Sequence, residues 1–216
     1  MPKGMRATRP DGAPTRAGWV LAGGRSTRMG KDKAFLEFRG RILLARALEL
    51  AAGAGQEVRI VGDPRKFAAF GQVIEDIYRD RGPLAGIHAA LKSSSTELNL
   101  VLAVDLPFVQ PDLLRYLISV ARETTALVTV PRADDGLQPL CAVYRREFGK
   151  VAEQSLAQGK NKIDALFAEV ETRIVGPEDL SEAGFSGQMF RNLNTPEEFE
   201  KAANIPNEEL RLETES

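Results

Sequence analysis

Short apolar runs alternate with amphipathic stretches along most of this 216-residue chain, and the two periods assign its elements. Gly18-Trp19-Val20-Leu21-Ala22 has the length and composition of a buried strand. Ile42, Leu43, Ala47, Leu48, Leu50 and Ala51 recur at helical spacing and stop at Gly53 and Gly55, which predicts a helix. Glu57–Val61 reads as the next strand, a short helix follows Pro64, and Gln72–Glu75 gives a third strand. Leu84, Ile87 and Leu91 mark a second substantial helix. Leu98–Val104 is almost unbroken apolar, the pattern of a strand covered on both faces in a parallel sheet. Pro111–Arg122 follows as a helix and Ala126–Val130 as a strand.

After Gly136 the pattern loosens. It predicts a strand at Leu140–Tyr144, helices over Glu147–Ala157 and Ile163–Phe167, a strand at Glu171–Val175 and a last strand at Met189–Leu193. Thr195-Pro196-Glu197-Glu198 then opens a helix, with Thr as N-cap, Pro at N1 and Glu three residues on for a capping box. Strand–helix alternation of this kind predicts an α/β fold: a three-layer, Rossmann-like, doubly wound, mostly parallel sheet with right-handed crossovers. Ligands on such sheets sit beyond the carboxyl ends of the strands. The folded part is expected to be one domain over residues 17–203. The basic, Pro- and Gly-containing stretch 1–16 is read as a disordered extension, and the polar, acidic stretch 204–216 as a mobile tail.

Composition narrows the function by exclusion. Basic and acidic residues number 29 and 30, so no global field points to nucleic acid or to an acidic membrane surface. One cysteine, Cys141, excludes an intrachain disulfide, and with a single histidine the usual structural zinc sets cannot be built. Both facts fit a reducing cytoplasm. The longest apolar stretches fall far short of a membrane span.

Against this neutral background the segment after the first strand stands out. It reads Leu-Ala-Gly-Gly-Arg-Ser-Thr-Arg-Met-Gly-Lys-Asp-Lys from Leu21 to Lys33. Gly23 and Gly24 allow close backbone approach, and Arg25, Arg28, Lys31 and Lys33 supply positive charge, which together suit a polyphosphate. The spacing is not that of a Walker A loop, because Gly24 and Gly30 enclose five residues and Lys31 is followed by Asp32. Nor is it a dinucleotide fingerprint. Asp105 ends the most apolar strand and Pro107 closes it, so a carboxylate is carried where it needs a cation or solvent. One or two such carboxylates plus substrate phosphates are the usual Mg²⁺ ligand set. Asp76 and Asp80 precede Gly82-Pro83-Leu84-Ala85-Gly86, where a glycine near a helix start hints at close approach of a ligand. Cys141 lies in an apolar strand and reads as core, and His88 as a packing or rim residue.

Leu21-Ala22-Gly23-Gly24 with Arg28-Met29-Gly30 and Asp32-Lys33 resembles the signature of the nucleotidyltransferases that share the glycosyltransferase-A-like, nucleotide-diphospho-sugar transferase-like fold. Gly82–Gly86, Gln138–Tyr144 and Asn192–Glu198 make the chain similar to the molybdenum cofactor guanylyltransferases (MobA type) specifically, over about residues 17–203. That resemblance implies transfer of GMP from GTP to the phosphate of molybdopterin, with release of pyrophosphate. It divides the domain into a GTP- and Mg²⁺-binding half, residues 17–110, and a molybdopterin-binding half, residues 111–203. It implies GTP contacts from Leu21, Ala22, Gly23, Gly24, Lys33, Gly82 and Asp105, and from Asp76 with Asp80 in reserve. Lys33, Asp105 and Arg28 are the expected catalytic residues, Asp105 the metal ligand, and Gln138, Asn192 and Asn194 the pterin-facing residues. Transient contacts with molybdenum-insertion or target-enzyme proteins belong to the same expectation. Read from the residues alone, Asn192 and Asn194 are turn residues, and Lys160 and Lys162 belong to a solvated face, with pairing to the acceptor's anionic groups as the alternative.

A phosphate nucleophile is already ionised at neutral pH, so this chemistry needs no general base and no Ser-His-Asp or Cys-His constellation. The rival enzyme readings are the cytidylyltransferase acting on the same cofactor and, further off, a sugar-1-phosphate nucleotidyltransferase. A GTP-binding adaptor without catalysis would bind nucleotide and release no pyrophosphate.

Overall fold

The computed structural model describes residues 16–23, 32–54, 57–133, 136–193, Glu198 and Ala202. Eight strands form one mixed sheet. Strand β1 (Arg16–Leu21) is central, flanked in parallel by β4 (Glu57–Val61) and β6 (Leu98–Ala103). Beyond β4 lies β5 (Val73–Ile74), also parallel. On the other side β9 (Cys141–Arg145) runs antiparallel between β6 and β7 (Val128–Ala133), and β10 (Thr172–Val175) pairs parallel with β7 at the edge. A short strand, β8 (Gly136–Leu137), hairpins back onto β7. A separate two-stranded ribbon joins β2 (Glu37–Phe38) to β3 (Arg41–Ile42).

Alternation along the central strands builds the three layers. Val20 and Ala22 of the first strand and its exit, with Leu100 and Leu102 of β6, face helices α1 (Leu43–Ala54) and α4 (Pro111–Arg122). Ala17, Trp19, Leu21 and Val101 face the opposite layer, α3 (Pro83–Ser93), α5 (Phe148–Ala157) and α6 (Ile163–Phe167). Two cores thus share one sheet, each fed by every second residue. Gly18 is required for closeness, because a Cβ there would come within 3.0 Å of the Ala51 Cβ on α1. Proline starts α3, α4 and two short helices, α2 (Pro64–Phe67) and α7 (Pro177–Glu182), where its missing N–H removes no helical bond.

The predicted α/β, mostly parallel, doubly wound architecture is the observed one, with corrections in detail. Leu140–Tyr144 is a strand, but it is antiparallel. Residues 134–140 are too few for a helical crossover, and the chain turns back through β8 instead. Met189–Leu193 is not a strand. Ser186 accepts from Gln188 N at 3.2 Å and starts a 3-10 turn over Gly187–Phe190, which buries Met189 and Phe190 side by side. The first strand begins at Arg16, opposite Leu98, and so takes one residue from the stretch read as an extension. The two-residue strands β2, β3 and β8 and helix α7 carry no periodicity and were not predicted. The Thr195-Pro196-Glu197 helix start lies outside the described residues, as do residues 1–15.

Candidate functional site

Four chain segments reach the carboxyl edge of the parallel part of the sheet. Val104 N donates to Leu21 O at 3.3 Å, Ala22 N to Val61 O at 3.0 Å, and Gly62 N to Ile74 O at 2.9 Å. These bonds carry the ladder one step past the strands and then stop. Gly23, Gly62, Glu75-Asp76 and Asp105 therefore emerge together, beyond the ends of β1, β4, β5 and β6.

Asp105 follows the fully buried β6 and is itself half-buried. Lys33 reaches it from the other side, Nζ lying 3.4 Å from Asp105 Oδ2. The lysine is aimed by its own turn. Asp32 Oδ1 accepts from Ala34 N at 3.2 Å and caps the 3-10 turn over Lys33–Phe35. The other carboxylate oxygen of Asp32 takes Lys66 Nζ at 2.8 Å, which ties the turn to α2. Asp32 is thus committed to structure, whereas Asp105 has one cation at the long end of hydrogen-bond reach.

Asp76 holds a second carboxylate at this edge. A Cβ on Gly86 would lie 3.6 Å from Asp76 Oδ1 and 3.4 Å from Leu21 Cδ2, so the three residues meet at the start of α3. Oδ1 of Asp76 is buried and has no hydrogen-bond partner. Burial pushes the Asp76 carboxyl above its ordinary range, since the ionised form is short of solvent. Gly82 caps α3 at φ 69°, a left-handed conformation that favours glycine, and Pro83 follows it at N1. Asp80 is exposed, with φ 58°.

Leu21, Ala22, Gly23, Lys33, Asp76, Gly82 and Asp105 thus all lie at or beyond one sheet edge. Gly24, Arg28 and Asn194 lie outside the described residues. Gln138 is nearly buried on the turn between β8 and β9, its Nε2 donating to Gly136 O at 3.2 Å, and Asn192 is exposed just after the 3-10 turn. Two groups are removed from the chemistry. Cys141 is fully buried and its thiol is pushed up to about 12, and His88 is fully buried under α5 and Tyr78. Among the described residues no three His, Cys, Asp or Glu side chains gather to hold a metal by themselves, and no helix is long and apolar enough to cross a membrane. Sequence reading did not find the Asp32–Lys66 pair. Its signal was faint: Pro64 announced helix α2, but nothing announced what α2 would touch.

Residues 18–173 match the model of the MobA-like NTP transferase domain. A probable molybdenum cofactor guanylyltransferase of Pelotomaculum thermopropionicum is 36% identical over 187 residues, spanning 86% of this chain and 90% of that protein. The one from Clostridium perfringens is 31% identical over 185 residues, 84% and 92% of the two chains. The crystal structure of molybdopterin-guanine dinucleotide biosynthesis protein A from Archaeoglobus fulgidus superposes with a TM-score of 0.74 at 26% identity, covering 88% of this chain and 97% of that one. CMP:2-keto-3-deoxy-manno-octonic acid synthetase, at 13% identity and a TM-score of 0.67, shares the fold.

Proposed function

The chain belongs to the MobA-like NTP transferases, and among them to the molybdenum cofactor guanylyltransferase family; from that premise we propose that it transfers GMP from GTP to the phosphate of molybdopterin, releasing pyrophosphate. The observation that carries the reading is the Lys33–Asp105 pair at the carboxyl edge of β6 and β1. It sets a carboxylate and a cation side by side where the fold expects a ligand.

The donor set suits Mg²⁺. Asp105 is a half-exposed hard oxygen donor at a strand end, and the described residues offer no closed protein cage. An ion held there would draw its other ligands from phosphates and water. Bound at Asp105, it would supply charge neutralisation at the α- and β-phosphates. Lys33 would bind the phosphates from the opposite side and stabilise charge on the leaving pyrophosphate. Arg28 is assigned to the same task.

Leu21, Ala22 and Gly23 would line the base and ribose. The unpartnered Oδ1 of Asp76, beside Leu21 and Gly86, is an acceptor waiting for a donor, and the base or ribose of GTP supplies one. This favours Asp76 over Asp80 as the nucleotide contact. The acceptor phosphate, already ionised, attacks the α-phosphorus in line with the departing pyrophosphate, and Gln138, Asn192 and Asn194 are assigned to the pterin. No protein base is needed, consistent with a buried Cys141 and a buried His88. A cytoplasmic enzyme fits the single free, buried thiol.

The test is pyrophosphate release from purified protein given molybdopterin, Mg²⁺ and either GTP or CTP. GTP is the expected donor, and Asp105→Ala is expected to abolish release. Equal use of CTP would overturn the guanine assignment, and full activity of Asp105→Ala would overturn the site.

A further inference from the structure

A third, small core sits apart from the two that sandwich the sheet. Phe38, Leu43, Phe108, Leu193 and Ala202 are its buried members, with Leu36 packed against it. Its membership crosses the segments that carry the candidate site residues. Leu36 and Phe38 lie three and five residues after Lys33, Phe108 lies three residues after Asp105, and Leu193 is next to Asn192. Phe38 and Phe108 meet edge to face, centroids 5.7 Å apart at 86°.

Hydrophobic contact alone sets depth rather than register, and polar groups tie this cluster as well: Arg39 donates from Nη2 to Ala202 O at 3.5 Å. Arg46, on α1, donates from Nε to Pro107 O at 2.9 Å. Its guanidinium carbon lies 6.0 Å from the centre of the Phe38 ring, and that of Arg39 lies 5.1 Å from it. Arg46 therefore holds the backbone of the turn that follows Asp105 while touching the ring that follows Lys33. Neither segment is part of α1.

We propose that Arg46 is a positioning residue for the metal–nucleotide site: it fixes the turn bearing Asp105 against the ribbon that follows Lys33, and so sets the separation of that carboxylate from that ammonium. The inference rests on Asp105 being the metal ligand of the proposed transferase. A loosened turn lets Asp105 drift toward Lys33 or away from it, and either movement weakens divalent-cation binding more than nucleotide binding.

The test uses the full-length protein as Arg46→Met, which keeps the stem and loses the donor, and as Arg46→Lys, which keeps a donor. Mn²⁺ binding in the presence of a non-hydrolysable GTP analogue is followed by electron paramagnetic resonance. Analogue binding in EDTA and the melting temperature are measured in parallel. For Arg46→Met the expected result is a rise of about tenfold in the Mn²⁺ dissociation constant, with metal-free analogue affinity within twofold of wild type. Arg46→Lys recovers most of the metal affinity. A variant that melts earlier yet binds Mn²⁺ as wild type overturns the positioning role, as does one that loses metal-free analogue affinity to the same extent. Wild type that binds no Mn²⁺ with the analogue overturns the assignment of Asp105, and this inference with it.

Discussion

Strand β6 carries a polar group at each end, and the two ends are opposite in design. Near its start, Asn99 is fully buried. It accepts from Trp19 Nε1 at 3.0 Å and from the hydroxyl of Ser94, and donates to the carbonyls of Thr96, Glu97 and Tyr144. Every hydrogen-bonding capacity of that amide is used. Past its other end, Asp105 has Lys33 at 3.4 Å, and near it Asp76 keeps a buried oxygen with no partner. A satisfied buried network specifies structure, whereas an unsatisfied one is destabilising unless something else completes it. The difference contrasts a buried network complete in itself with an edge whose polar groups are left incompletely paired.

The largest expected effects divide along that line. Asp105→Ala should lower pyrophosphate release by about 1,000-fold, equivalent to about 4 kcal/mol, while moving the melting temperature by no more than a few degrees. Asn99→Leu should do the reverse. It strands the Trp19 Nε1 donor in the core and should lower stability by about 3 kcal/mol, with activity per folded molecule unchanged. Denaturant melts and turnover, measured on both variants, check the pair. Loss of stability in both, or of activity in both, would erase the distinction.

Much of this was legible in the chain. Asp105 stands out in the sequence because a charge directly after an unbroken apolar strand has to answer to something outside the core, and the structure sets Lys33 beside it. The position of Leu21–Gly23 at the carboxyl edge is legible because strand–helix alternation fixes which ends of the parallel strands share one edge. What failed to show was contact at long range. The Lys66–Asp32 pair and the hold of Arg46 on Pro107 join residues 34 and 61 positions apart, and neither leaves a spacing signature. The direction of β9 could have been read from the short 134–140 connection. Met189–Leu193 misled because two adjacent apolar residues can be buried by one tight turn as well as by a strand.

Asp76 offers a finer test, because the two halves of the comparison meet in one residue. Its Oδ1 is buried without a partner and burial raises its pKa, an arrangement unfavourable to the ionised form that is kept, on the proposed reading, for the nucleotide. Asp76→Asn should raise stability by about 1 kcal/mol at pH 7 and weaken GTP binding by about tenfold, a trade of stability for function. Its folded-state pKa lies above the ordinary carboxylate value, so the wild-type penalty grows as pH rises from the ordinary range through the folded value. The stability gap between variant and wild type should therefore close in acid. Calorimetry with and without GTP reads both effects, and a variant that is neither stabilised nor impaired in binding would remove Asp76 from the site.

His88 sharpens the rule from the other side, since it is unsatisfied yet assigned no ligand. Both ring nitrogens are buried without a hydrogen bond, Nε2 lies 3.9 Å from Glu153 Oε1, and the Tyr78 ring packs edge-on at 5.3 Å. Burial holds its pKa below the ordinary 6.5, Glu153 works against that shift and Lys92 with it. As pH falls below about 6.5 the unfolded chain takes up the proton first, so the stability of neutral His88 is full above that value and is lost on the way down to the folded-state pKa. His88→Gln removes the titration but not the polarity. The melting temperature of wild type should drop more than that of the variant between pH 7.5 and 5.5, a smaller difference than any above. The relative rate of GMP transfer in the two proteins should stay constant over the same range wherever both remain folded. Parallel melting curves would show that His88 keeps its charge state through folding, whereas a pH-dependent rate difference would mean that this buried, unsatisfied group on α3 also serves the chemistry.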